Sequence, residues 1–179
     1  MHPTALPTAL LALSVLALSV VTLGCAVRLP ESDGPVAVGT DRAFSHTVTT
    51  TASPDAVWAV WTDVAGWPAW DVELDSAALD GAFEEGATGR LVPKRGPSAR
   101  FRIEDVEPGR AYTLVTRLPL GSLRVRRTWE TVEGGIAVTH AVTFGGVGGR
   151  ALAGRLGPGF RRALPVALDR LRALSEAQS

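Results

Sequence analysis

Apolar and polar residues follow two different rhythms along this chain. Over residues 42–51 the period is two. Phe44, His46 and Val48 fall on one face, and Ser45, Thr47 and Thr49 on the other, within a Val- and Thr-rich stretch that predicts a first strand. From Ser53 the period becomes helical. Ser53 can cap the free backbone donors, Pro54 suits the first helical position, and Asp55 complements the positive helix end. Val57, Trp58, Val60 and Trp61 then form an apolar stripe. Gly66 and Pro68 break the pattern between Trp67 and Trp70, so a second, shorter helical turn is expected. Strand-like segments follow at residues 73–79, 88–93, 99–106, 111–118, 122–133 and 136–144, separated by turn signals such as Asp80-Gly81, Pro108-Gly109 and Gly134-Gly135. Six strands in a row predict an antiparallel sheet, seven-stranded with the first. From Gly148 the period is helical again, with Leu152, Leu156, Phe160, Leu164, Leu168, Leu171 and Leu174 on one side and arginines on the other. Gly157-Pro158-Gly159 is expected to kink or split this last helix, and Pro165 to bend it again.

The last hairpin offers a register. If Gly134-Gly135 is the loop, Glu133 pairs with Ile136, Thr131 with Val138, Trp129 with His140, Arg127 with Val142 and Val125 with Phe144. Leu123, Val125 and Trp129 then share a face with Ile136, Val138, Val142 and Phe144, and the two apolar faces coincide. Arg127 and His140 are the polar exceptions on that face.

The N-terminus has a different character. Residues 5–27 are uncharged throughout, long enough to span a bilayer, which needs roughly 20 residues. Thr22-Leu23-Gly24-Cys25 resembles a lipoprotein processing box, which would make Cys25 the lipidated residue. An uncleaved membrane anchor and a cleaved secretory signal ending near Gly24-Cys25-Ala26 are the other readings. Each implies an exported or membrane-associated protein. A start codon placed too early, with a cytoplasmic protein beginning near Val36, is the fourth. Residues 28–41, with Pro, Gly, Ser and acids, read as a linker.

Composition narrows the chemistry. Lys plus Arg and Asp plus Glu number 18 each, and the acids are interleaved with the arginines, so no nucleic-acid partner is expected. Cys25 is the only cysteine, which rules out an intramolecular disulfide and a cysteine zinc site. Gly146, Gly148 and Ala151 fit G-x-G-x-x-A, but a dinucleotide site needs a second parallel strand after the helix, and here the sequence ends in the helix. The glycines are read as a tight turn, and no cofactor is expected. Two histidines without a third ligand make no metal site.

His46 and His140 project from apolar faces of strands expected to be neighbours. Each can be a general base or a hydrogen-bond partner for a ligand carbonyl, or a buried imidazole satisfied by backbone or Thr. Arg127 on the inner face needs a counter-group, either an inward carboxylate such as Asp105 or Glu73, or the acidic head of a ligand. Four of the five tryptophans lie in residues 53–71, as core or pocket-mouth packing. Lys94, Arg95, Arg100, Arg102, Arg124 and Arg126 read as solvated strand faces that can also rest on anionic lipid heads.

Ser53-Pro54-Asp55-Ala56-Val57-Trp58, Thr62-Asp63-Val64 and Trp67-Pro68-Ala69-Trp70 resemble the SRPBCC superfamily, also called START-like or Bet v 1-like, of polyketide cyclase/dehydrase and lipid-transport type. Val138-Thr139-His140 and Arg161-Arg162-Ala163-Leu164-Pro165, with Leu168 and Leu171, add to the likeness. It extends from Arg42 to about Glu176. It implies an α+β helix-grip domain at residues 42–177: a curved seven-stranded antiparallel sheet around a long C-terminal helix, with two short helices after the first strand. It also implies an apolar pocket for a hydrophobic small molecule, with candidate lining residues His46, Trp58, Trp70, Tyr112, Arg127, Trp129, His140 and Val142. No catalytic residue carries over. Binding of a lipid or polyketide for transport, storage or sensing is the expected function. The alternatives are a cyclase or dehydratase acting through a pocket His or acid, and a partner-binding module whose cavity is filled by its own side chains. The sequence sets no oligomeric state.

Overall fold

In the computed structural model, which describes residues 41–179, side chains make the turns that the sequence signals. The Ser53 hydroxyl accepts a hydrogen bond from the Ala56 N–H at 3.2 Å, and Pro54 opens α1 (Pro54–Thr62). Asp63 ends α1 and starts the next element. Its carboxylate accepts from the Gly66 N–H at 3.2 Å, opening a 3-10 helix over Val64–Ala69. A Cβ at Gly66 would run into that carboxylate, so a larger residue there would have to displace the capping side chain. Trp67 then turns inward and donates from Nε1 to the Trp61 carbonyl at 2.9 Å, tying the two short helices together.

Seven antiparallel strands follow the order β1-β7-β6-β5-β4-β3-β2. They are β1 (Ala43–Thr50), β2 (Leu74–Leu79), β3 (Thr88–Pro93), β4 (Ala99–Glu107), β5 (Ala111–Leu118), β6 (Gly121–Val132) and β7 (Gly135–Gly145). Because β1 and β2 lie at opposite edges, α1 and the 3-10 helix carry the chain across one face of the curved sheet. The long helix α2 (Gly149–Glu176) packs on the same side against β1, β7 and α1. This is the helix-grip fold. The core between the layers holds Trp61, Trp67, Trp70, Ile103, Phe144, Leu168 and Leu171, all fully buried. The uncharged run at residues 5–27, Cys25 and most of the linker lie outside the described residues.

Two expectations need correction. The β6–β7 register is displaced by two residues. Val132 pairs with Gly135, Trp129 with Val138, Arg127 with His140 and Val125 with Val142. The turn is therefore Glu133-Gly134, with Gly134 in the left-handed region at φ +80°. Gly135 belongs to the strand because β1 passes so close that a Cβ would strike the Thr50 carbonyl. The assignment of faces survives, since a shift of two preserves a period of two. The second correction concerns α2, which runs unbroken from Gly149 to Glu176 with Pro158 and Pro165 inside it. Burial of Ala153, Gly157, Ala163, Leu164, Ala167, Leu168 and Leu171 along one side outweighs the hydrogen bonds that the two prolines remove.

The opposite face of the sheet is solvated and laced with ion pairs. Arg100 meets Asp80 at 2.6 Å, Arg124 meets Glu104 at 3.0 Å and Asp105 at 3.1 Å, and Arg126 pairs with Glu107. Such exposed pairs contribute little each, typically under about 1 kcal/mol. Arg126 also reaches over Thr113 at 3.5 Å, part of the cover over the outer side of β5.

Candidate functional site

The register across β1, β7, β6 and β5 builds one row of polar side chains on the concave face. His46 pairs with His140, His140 with Arg127, and Arg127 with Tyr112. Every second residue along β6 and β7 points inward, so Arg127 and His140 take places otherwise held by Leu123, Val125, Val138, Val142 and Phe144. Arg127 is 3% exposed and His140 is 2% exposed.

Arg127 sits in an aromatic cage. Its guanidinium carbon lies 4.5 Å from the Trp67 ring centre, 4.8 Å from Trp70 and 5.2 Å from Tyr112. Nη1 donates to the Tyr112 hydroxyl, and that hydroxyl donates to the Trp61 carbonyl at 3.3 Å. The ion pair expected from the sequence is not made. Asp105 stands on the outer face, where its carboxylate holds Arg124 and its carbonyl accepts from Arg126, and Glu73 is exposed. Asp71, half-buried just after the 3-10 helix, is the acid that Arg127 influences, yet no carboxylate comes within 4.0 Å of Arg127 among the described residues. Cation–π contacts stabilise a desolvated cation by about 2 kcal/mol each. Burying a charge costs several kcal/mol, so the rings largely offset that cost without supplying a counter-charge.

His140 packs between the Trp61 and Trp70 rings, at 5.9 Å and 5.8 Å between centres. Burial, then the Arg127 charge, then His46 hold its imidazole well below the usual histidine range, so it is neutral at physiological pH. His46, half-buried on β1, is also lowered by burial, against the pull of Asp169. Burial pushes Tyr112 up to about 12, opposed by Arg127, and it stays a neutral phenol. Burial raises the Asp71 carboxyl, and Arg127 opposes this. Within this interior, Arg127 Nε and His140 Nε2 have no hydrogen-bond partner, and neither do the Nε1 atoms of Trp61 and Trp70. A guanidinium donor and a neutral imidazole are thus carried by residues paired across β6 and β7, in a largely aromatic surround.

Of the residues singled out from the sequence, Tyr112, Arg127, His140 and Trp70 come together. Trp58 is half-buried at the edge of the cluster, 6.1 Å from the Tyr112 ring. His46 continues the row outward. Val142 lies deeper in the core, opposite Phe44 and Val125. Trp129 stays outside the cluster. Its Nε1 donates to the Gly109 carbonyl at 2.7 Å, and Arg110 lies over its ring, so it pins the β4–β5 turn. Sequence reasoning left Trp61, Trp67, Asp71 and Phe83 off the site. The first two belong to the same tryptophan-rich stretch, whose helical spacing was the available signal. Phe83 is a lone aromatic in the β2–β3 loop, with its ring 4.9 Å from Tyr112 and 5.8 Å from Trp58.

Residues 41–176 match the sequence model of a family described as polyketide cyclase / dehydrase and lipid transport. The chain belongs to that family. It is a member of the SRPBCC superfamily. No curated relative matches the sequence. Solved structures share the family fold at low identity. The di-domain ARO/CYC StfQ of the steffimycin biosynthetic pathway superposes with a TM-score of 0.64 at 9% identity, over 77% of this chain and 52% of that one. The chain therefore spans about half of that relative. A Nitrosomonas europaea protein gives 0.62 at 12% identity, over 79% and 98% of the two chains. Ara h 8.0201 gives 0.61 at 13%, over 75% and 97%.

Proposed function

We propose that this protein binds a hydrophobic small molecule, a lipid or polyketide-like compound, between the sheet and its helices, for transport, storage or sensing. The observation that carries this reading is the buried Arg127 in its cage of Trp67, Trp70 and Tyr112, with Nε unpaired beside the unpaired Nε2 of His140. A packed core has no use for two such groups, whereas a ligand with an oxygen at one end would satisfy both. The interior is occupied by the protein's own aromatic rings. Admission of a ligand would displace Trp58 and Phe83, the half-buried pair over Tyr112. Family membership supports the same reading. We place the protein at or beyond the membrane, held or exported by residues 5–27, on the strength of that uncharged run.

A second reading has its own support. A neutral imidazole next to a guanidinium and a phenol is a set suited to removing a proton next to a carbonyl, the step of a cyclase or dehydratase. The discriminating experiment is native mass spectrometry of the full chain purified from a lipid-rich host. A co-purifying hydrophobic mass, released unchanged and reduced in Arg127→Met, supports binding. Release of a product altered by loss of water supports the enzyme. A clean apo mass with no uptake from a lipid extract overturns both and favours a partner-binding module with a filled interior.

A further inference from the structure

The charge of the ligand can be read from the groups around the site, on the premise that the site binds a hydrophobic molecule as proposed above. Arg127 is a permanent cation, buried, and unmatched by any carboxylate within 4.0 Å among the described residues. The rings of its cage offer only quadrupoles. Tyr112 stays neutral, and its hydroxyl already accepts from Nη1. Directly across from Arg127 stands His140, whose Nε2 is free to bond. A neutral carbonyl would answer the hydrogen-bonding need but bring no contacting negative charge to Arg127. A carboxylate or enolate oxygen answers both, because charge-assisted bonds to a guanidinium are about twice as strong as neutral ones.

We infer that the ligand is a hydrophobic anion whose carboxylate or enolate oxygen rests on Arg127 and His140, and that it is taken up together with a proton on His140. The proton follows from the charges around that imidazole. From β6, Arg127 repels a second positive charge, and His46 on β1 adds to the repulsion. Trp61 of α1 and Trp70 after the 3-10 helix contribute apolar walls, and Tyr112 on β5 stays neutral. Asp71 interacts electrostatically with Arg127 without contacting it within 4.0 Å, and Asp169 on α2 acts on His46. Burial first, and then the Arg127 charge, keep the imidazole neutral when the site is free. An anion placed between Arg127 and His140 offsets the guanidinium charge and sets a negative oxygen against the imidazole, which favours the imidazolium. Binding then consumes a proton at neutral pH, and affinity falls as pH rises.

Octanoate and octanamide test this, having the same chain length and differing in charge. Both are titrated into the full chain in amphipol, following tryptophan fluorescence. Octanoate is expected to bind about tenfold more tightly than octanamide, a difference of about 1.4 kcal/mol. Arg127→Met should erase the preference while leaving octanamide binding in place, and Arg127→Lys should keep part of it. The wild-type protein alone provides a second readout, independent of how the variants fold. Octanoate affinity should rise from about pH 8 to about pH 6 with measurable proton uptake in calorimetry, while octanamide stays flat. Equal affinity for the two probes overturns the anionic ligand and leaves the hydrophobic-binding reading standing. A flat octanoate profile overturns the coupled proton. Failure of both probes to bind overturns the proposed function itself.

Discussion

Arg127 and His140 face one another across β6 and β7, both buried on the concave face of the sheet. In a core maintained only for stability, each would carry a partner or be replaced by a hydrophobe. Here burial and the Arg127 charge keep the imidazole uncharged, and each residue keeps an unpaired nitrogen. The pairing creates a polar point inside an otherwise aromatic and aliphatic interior, and several measurable consequences follow.

The buried charge is a stability cost. Replacing Arg127 by Met removes a guanidinium with no contacting carboxylate and leaves Tyr112 its bond with the Trp61 carbonyl. Arg127→Met is expected to unfold at the same or a higher denaturant concentration than the native protein, a gain of up to about 2 kcal/mol, while losing anionic ligands. A clear loss of stability in chemical denaturation would mean that the cation–π cage outweighs the desolvation.

Trp67 joins the two short helices both by packing and by its hydrogen bond to Trp61. Trp67→Phe loses the bond and part of the ring, and should cost about 1–3 kcal/mol. Trp67→Ala should cost about 3–5 kcal/mol. Trp129→Phe, at a half-buried position of β6 facing the β4–β5 turn, should cost less than either. Thermal unfolding of the three variants orders them.

His140 imposes a pH dependence whose sign can be worked out. Its folded-state pKa is depressed below 6.5, so below that pH the unfolded chain takes up a proton that the folded chain refuses. The stability it contributes is complete above 6.5 and is lost as pH falls toward the folded value. His46 has the same sign. Asp71 runs the other way. Its raised pKa means that its contribution is complete below 3.8 and is lost as pH rises through the folded value. The denaturation midpoint of the native protein minus that of His140→Gln is expected to shrink as pH drops from about 7 to about 5. A constant difference would show that His140 is protonated alike in both states.

Two glycines should respond in opposite directions. Gly135 passes so close to β1 that a methyl group would strike the Thr50 carbonyl, so Gly135→Ala should loosen the β1–β7 pairing and cost more than about 2 kcal/mol. Gly154 lies in α2, exposed and with open space around its Cα. Gly154→Ala should stabilise by about 0.5–1 kcal/mol, because Ala loses less backbone entropy in a helix. Paired melting curves check both.

The sequence by itself determined the elements and their faces. Ser53, Pro54 and Asp63 act on backbone groups within three residues, the period of two along β6 and β7 is intrinsic to a strand, and each signal is complete in a short window. The seven antiparallel strands, the two short helices and the long last helix were therefore legible, as was the inward direction of Arg127 and His140. What the tertiary structure alone decided was register and partnership. A slip of two residues keeps every side chain on its face, so the alternation cannot report it. The turn lies at Glu133-Gly134, with Gly135 already in the strand against Thr50, and Arg127 is therefore opposite His140 rather than Val142. The same holds for α2, where packing on β1 and β7 carried the helix without a split through Gly157-Pro158-Gly159, which local rules read as a kink or a split. Local signals act through neighbouring backbone groups; the site depends on contacts between strands far apart in the chain, and these exist only once the sheet has closed around its helix.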